Sequence, residues 1–158
     1  MNYRTLGRTG LSVSEIGFGC GNVGDLMIRG EHADQVKAVA RAMELGINYF
    51  DTASQYGAGQ SETNLGRVLN ELDAQVFVGT KYRLETEDDA DIKGGVIRSV
   101  DASLARMARE QVDLIQLHNR VGPQRDLAGE PSAWKMCWAR WWRRPKCFGP
   151  RARSGSGD

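Results

Sequence analysis

The sequence predicts an α/β fold built on a parallel sheet of about four strands. Two observations predict it. Strand-like and helix-like segments alternate along roughly the first 130 residues, and Asp51, Lys81 and His118 each lie at or just past the end of a strand-like run. Strands alternating with helices imply parallel pairing through right-handed crossovers.

The first strand is expected at 14–19, running into a Gly-rich turn. Asp34 is placed to cap a helix whose Val36, Val39, Ala40 and Met43 fall at i, i+3, i+4 and i+7, one helix face. Gly46 follows it as a C′ glycine should. A short strand is expected at 47–51. Ser61 is placed to cap a second helix, where Leu65, Val68, Leu69 and Leu72 repeat the same spacing. A compact β-branched and aromatic run at 76–78 predicts the third strand. A third helix, 92–108, carries Ile97, Val100, Leu104 and Met107, and 112–117 is the fourth strand.

Composition bounds the rest. The chain has 158 residues, 41% apolar and 26% charged, with a net charge of +1, which excludes a disordered polyelectrolyte. Its three cysteines, Cys20, Cys137 and Cys147, include no C-x-x-C pair. That argues against a disulfide framework or a metal site, and makes a reducing cytoplasm the expected location. No apolar run approaches the ~18 residues of a membrane span, and the start lacks the pattern of a secretory signal.

The averages conceal two unlike segments. Trp134, Trp138, Trp141 and Trp142 fall within nine residues. Residues 133–158 carry a net +6, whereas 1–132 carry −5. A boundary is therefore expected near 131–133, separating a folded domain, 1–132, from a basic Trp/Arg-rich tail, 133–158.

The chemistry gathers at strand ends. Asp51 and Lys81 are 30 residues apart, and Lys81 and His118 are 37 apart, each gap fitting one crossover. The carboxyl edge of a parallel sheet is where sites are built. Tyr56 lies five residues beyond Asp51, near enough to join them. A free phenol, with a pKa of about 10, is a poor proton donor at neutral pH, and an adjacent ammonium favours its ionisation. An Asp would hold the ammonium, and a His would orient a substrate oxygen or share the proton transfer. The set suits proton donation to a carbonyl oxygen while a nicotinamide or flavin delivers hydride. Singly, each residue has a plainer reading, as turn cap, packing or solvated charge. Their common edge is what favours chemistry. His32, before the first helix, has only the plain reading.

These residues resemble a known family, the aldo-keto reductases. The likeness lies in Asn48-Tyr49-Phe50-Asp51-Thr52-Ala53-Ser54-Gln55-Tyr56-Gly57, in Gly59-Gln60-Ser61-Glu62, in Val78-Gly79-Thr80-Lys81 and in Asp113-Leu114-Ile115-Gln116-Leu117-His118. The opening Tyr3-Arg4-Thr5-Leu6-Gly7-Arg8-Thr9-Gly10-Leu11 is similar to the bacterial branch. The resemblance covers about residues 1–130. It implies a (β/α)8 TIM barrel that binds NADP(H), with NAD(H) as alternative and no metal, and that interconverts carbonyls with alcohols or sugars. It makes Tyr56 the proton donor, Lys81 and Asp51 its tuning pair, and His118 the residue that positions the carbonyl. It runs the Gly19-Cys20-Gly21 turn beside the cofactor, which Asp51 also touches. A whole barrel needs at least about 200 residues. The expected fold is therefore the N-terminal half-barrel, about four parallel strands with crossover helices. The family's remaining cofactor contacts belong to the other half.

Gly19-Cys20-Gly21-Asn22-Val23-Gly24 also spells the G-x-G-x-x-G of a dinucleotide-binding Rossmann turn. It is set aside because 25–31 shows no apolar helical period, whereas a Rossmann helix opens on the motif. Tyr56 also lacks a Lys four residues on.

The tail has three readings. Its mixture of Trp, Arg, Pro, Gly, Ala and Cys fits out-of-frame translation of a G/C-rich gene, the favoured one. It also fits a basic aromatic segment for anionic lipid or nucleic acid. Thirdly, the Trp stripe would cover the open edge of the half-barrel. An open sheet leaves backbone groups unpaired, so self-association is expected. Two function classes follow: a reductase acting on a small carbonyl or sugar, or a non-enzymatic fragment or tail-driven binder.

Overall fold

The computed structural model describes residues 1–85, 88 and 90–119. The expected boundary near 131–133 and all readings of the tail lie outside the described residues. The elements, in order, are β1 (Tyr3–Thr5), β2 (Ser12–Ser14), β3 (Phe18–Gly19), α1 (Leu26–Arg29), α2 (His32–Glu44), β4 (Tyr49–Asp51), α3 (Gln60–Glu71), β5 (Phe77–Tyr82), α4 (Ile92–Met107) and β6 (Leu114–Leu117). A tight turn, Tyr56–Gly59, leads into α3.

β3, β4, β5 and β6 form one sheet in that order, every pairing parallel. The order follows the chain, as it does around a barrel. A Rossmann sheet would place its first strand between two others. Register puts Phe50 beside Val78, Asp51 beside Gly79 and Lys81 beside Gln116. Alternation then splits the faces. Phe50, Val78 and Thr80 are fully buried against the helices. Tyr49, Asp51, Gly79, Lys81, Gln116 and His118 share the opposite face. The core fills the space between sheet and helices, with Met27, Val39, Ala42, Leu65, Val68, Leu69 and Met107 packed on Phe50 and Val78. Burying each large side chain here contributes about 1.5–3 kcal/mol.

Several expectations are corrected. The strand expected at 14–19 is two elements: Ser14 belongs to an antiparallel hairpin with β1, and only Phe18–Gly19 enters the parallel sheet. The hairpin is tied on by Asn48, whose Oδ1 accepts from Ser14 N at 2.7 Å and whose Nδ2 donates to the Ser12 carbonyl at 3.0 Å. Asp34 is not a cap, because α2 begins two residues earlier and Asp34 sits in its first turn. Ser61 is not a cap either: α3 begins at Gln60, and the Ser61 hydroxyl is fully buried. A single helical turn, α1, does occupy part of 25–31, held by the buried Met27. On α4 the buried face is Gly95, Val96, Ser103 and Met107, so Ile97 is turned outward. At the crossing of the two helices it is Gly66 of α3 that lets the Met107 backbone of α4 come close.

Candidate active site

All four expected residues meet at the carboxyl edge of the sheet. Asp51 is the last residue of β4, and Lys81 lies near the end of β5, paired across from Gln116. His118 follows β6 directly, its backbone N–H donating to the Tyr82 carbonyl at 2.8 Å. Tyr56 stands at the head of the tight turn after β4.

Lys81 links them. Its Nζ donates to Asp51 Oδ2 at 2.5 Å and to the Thr52 carbonyl at 2.8 Å. Both side chains are shielded, Lys81 at 13% exposure and Asp51 at 31%. The same Nζ stands 4.8 Å from the centroid of the Tyr56 ring, within range of a cation–π attraction. The His118 ring meets Tyr56 edge-on, at 5.7 Å between centroids and 88° between planes. Burial pushes the His118 pKa down, and the nearby charges of Lys81 and Arg83 push the same way, against a smaller opposing effect of Asp51. His118 Nδ1 is enclosed and has no hydrogen-bond partner among the described residues.

The Gly19-Cys20-Gly21 turn borders the cluster. Cys20 N donates to the Asp51 carbonyl at 2.9 Å. A Cβ added to Gly21 would touch the Tyr56 ring at 3.4 Å, so the backbone packs against that ring. A Cβ at Gly19 would meet nothing within 4 Å, leaving open surface beside Asp51. Burial and the Asp51 carboxylate raise the Cys20 thiol to about 12, with Lys81 opposing. Cys20 is therefore a packed thiol rather than a nucleophile.

Sequence reasoning missed what stands behind the cluster. Ser61 Oγ donates to the Cys20 carbonyl at 2.8 Å and lies 2.9 Å from Thr52 Oγ1. Glu62, also fully buried, accepts from Thr80 Oγ1 and from Arg106 Nε, both at 2.6 Å. The signals for them are the Gly59-Gln60-Ser61-Glu62 likeness, which gives neither residue a role, and two polar residues opening a helix whose next turns are apolar. That pattern also describes an ordinary helix start.

The open surface at Gly19, beside Asp51, fits the reactive end of a nicotinamide cofactor. A separate cavity of about 520 Å³ lies at the opposite, amino edge of the sheet, lined by residues including Asn48, Phe77, Arg109 and Asp113. It touches none of the four.

A family model described as "Aldo/keto reductase family" matches residues 15–128. L-galactose dehydrogenase of Arabidopsis thaliana is 37% identical over 122 residues, covering 75% of this chain and 38% of that protein. The holo form of aldo-keto reductase AKR11C1 from Bacillus halodurans has a TM-score of 0.60 at 31% identity, covering 74% of this chain and 40% of its own. An aldo-keto reductase from Klebsiella pneumoniae, solved in complex with NADPH, has a TM-score of 0.58 at 23% identity, a likeness of fold alone, covering 72% of this chain and 38% of its own. The chain thus spans well under half the length of the relatives it matches.

Proposed function

This chain belongs to the aldo/keto reductase family, and we propose that it carries the proton-transfer site of an NADP(H)-dependent oxidoreductase acting on a small carbonyl or sugar. Its sheet is the amino-terminal four strands of a (β/α)8 barrel. The observation that carries the proposal is Lys81, bound to Asp51 while standing over the Tyr56 ring.

In the reducing direction Tyr56 gives its hydroxyl proton to the carbonyl oxygen. Charge left on the phenolic oxygen is met by the Lys81 ammonium, which Asp51 and the Thr52 carbonyl hold in place. Such fixed charges act without reorganising during the reaction. His118, its pKa held down, presents a neutral imidazole to the substrate oxygen at pH 7. In the oxidising direction Tyr56 takes the proton back. The Gly19-Cys20-Gly21 turn and Asp51 would hold the nicotinamide end of the cofactor. When bound, the cofactor supplies or accepts the hydride that no side chain here can carry. NAD(H) is the alternative cofactor.

Titration of the full chain with NADPH, read by nicotinamide fluorescence, tests the proposal. Saturation is expected, and failure to saturate at millimolar cofactor overturns it in favour of a non-enzymatic half-domain. Tyr56→Phe should lower turnover by about 10²–10⁴-fold and leave cofactor binding intact. Turnover that survives this change removes Tyr56 as donor.

A further inference from the structure

Resting on that reading, we infer that Glu62 is a positioning residue: through Thr80 and Arg106 it fixes the Lys81-bearing strand and the Tyr56-bearing turn relative to each other. Glu62 is 0% exposed, and both of its carboxylate oxygens are engaged, one by Thr80 and one by Arg106. A buried ion pair is weak evidence for stability, since desolvation offsets most of the attraction. Its use here is geometric.

One arm reaches β5. Thr80 and Lys81 are consecutive, so their side chains leave opposite faces of the strand. Glu62 grips Thr80 from the helix side, one residue before the ammonium that faces the site. The other arm reaches the turn. Arg106 lies against Gly59, where an added Cβ would meet Arg106 Cδ at 2.6 Å and Nε at 3.0 Å. Gly59 closes the turn that begins at Tyr56, and Gly57, Ala58 and Gly59 all have positive φ, at 59°, 52° and 92°. An alanine in that region is strained and depends on its surroundings for support. The neighbouring Ser61 holds other strand ends, those of Cys20 and Thr52. On the site side Ser54 Oγ donates to the Lys81 carbonyl at 3.2 Å, and Glu62 adds the tether from the helix side.

The test compares Thr80→Val, Thr80→Ser and Glu62→Gln in the full chain. The readout is the NMR titration of the His118 ring, assigned with His118→Gln. Burial depresses this titration most, and the charges of Lys81 and Arg83 add to it against Asp51, so withdrawal of Lys81 moves its midpoint upward. Thr80→Val and Glu62→Gln are expected to raise the midpoint, while Thr80→Ser, which keeps the hydroxyl, restores it. Where turnover is measured, kcat should fall about 10-fold with KM unchanged, the mark of lost positioning. The tether is overturned if the midpoints of folded Thr80→Val and Glu62→Gln coincide with the parent, or if Thr80→Ser behaves as Thr80→Val. Should Thr80→Val fail to fold, Glu62→Gln decides alone. A parent chain without turnover defeats the reductase reading, and the His118 titration still decides the role of Glu62.

Discussion

Lys81 and Asp51 form an ion pair across adjacent parallel strands, with Nζ 2.5 Å from Oδ2. Asp51→Asn keeps the shape and removes the charge. The Lys81 ammonium, 13% exposed, would then have only neutral acceptors, the amide oxygen at position 51 and the Thr52 carbonyl. A fully buried pair broken this way costs several kcal/mol, and a surface pair under one. This pair lies between those limits, so a loss of about 1–2 kcal/mol is expected in urea unfolding. An unchanged midpoint would mean that water already solvates the ammonium.

The packing of α3 on α4 makes a sharper prediction. A Cβ at Gly66 would lie 2.2 Å from the Met107 carbonyl oxygen and 2.5 Å from its Cα. Backbone cannot swing aside as a side chain can, so Gly66→Ala must part the two helices. A loss of about 3 kcal/mol or more is expected, at the upper end of overpacking costs. Gly19→Ala is the control, because the added methyl meets nothing within 4 Å. Its unfolding midpoint should stay near the parent's, within about 1 kcal/mol. Equal effects of the two substitutions would contradict the close helix crossing.

The β-α alternation was legible because three of the helices are long enough to show a period. The Leu65, Val68 and Leu69 stripe is buried where its spacing places it. Strand limits were not. The apolar run at 76–78 marks only the start of β5, which continues through Thr80, Lys81 and Tyr82 because β6 pairs with them. Polar residues gain that strand conformation from a partner distant in sequence. The three-residue strands β1 and β2 are too short for alternation to show. At the site, strand-end position alone sufficed to group Asp51, Lys81 and His118. The supports were invisible for a different reason. Ser61 and Glu62 look like a solvated helix start until the fold buries them, and nothing local announces that Arg106, 44 residues on, completes the pair.

The depressed pKa of His118 gives a pH dependence of definite sign. The unfolded chain protonates near the ordinary value of 6.5, while the folded ring resists until lower pH. As pH falls through 6.5 the unfolded state binds the extra proton, so stability present above 6.5 is progressively lost. Comparing the parent with His118→Gln isolates the effect. The parent should lose stability faster as pH falls from 7 through 6.5, with a slope difference of at most one proton. Parallel curves would show that the ring is as easily protonated folded as unfolded.

Cys20 works in the opposite direction. Its thiol is raised from 9.0 to about 12, first by burial and then by the Asp51 carboxylate. The unfolded chain begins to lose this proton near pH 9, while the folded chain keeps it. The contribution is therefore complete below pH 9 and drains away as pH rises towards about 12. The same protonation makes the thiol unreactive, since the thiolate is the attacking species. In a chain carrying Cys137→Ser and Cys147→Ser, a disulfide reagent at pH 8 should modify Cys20 only as fast as the protein opens, and urea should release fast labelling. Rapid labelling of the folded chain would place Cys20 at the surface and undo the close seat of the Gly19-Cys20-Gly21 turn against Asp51.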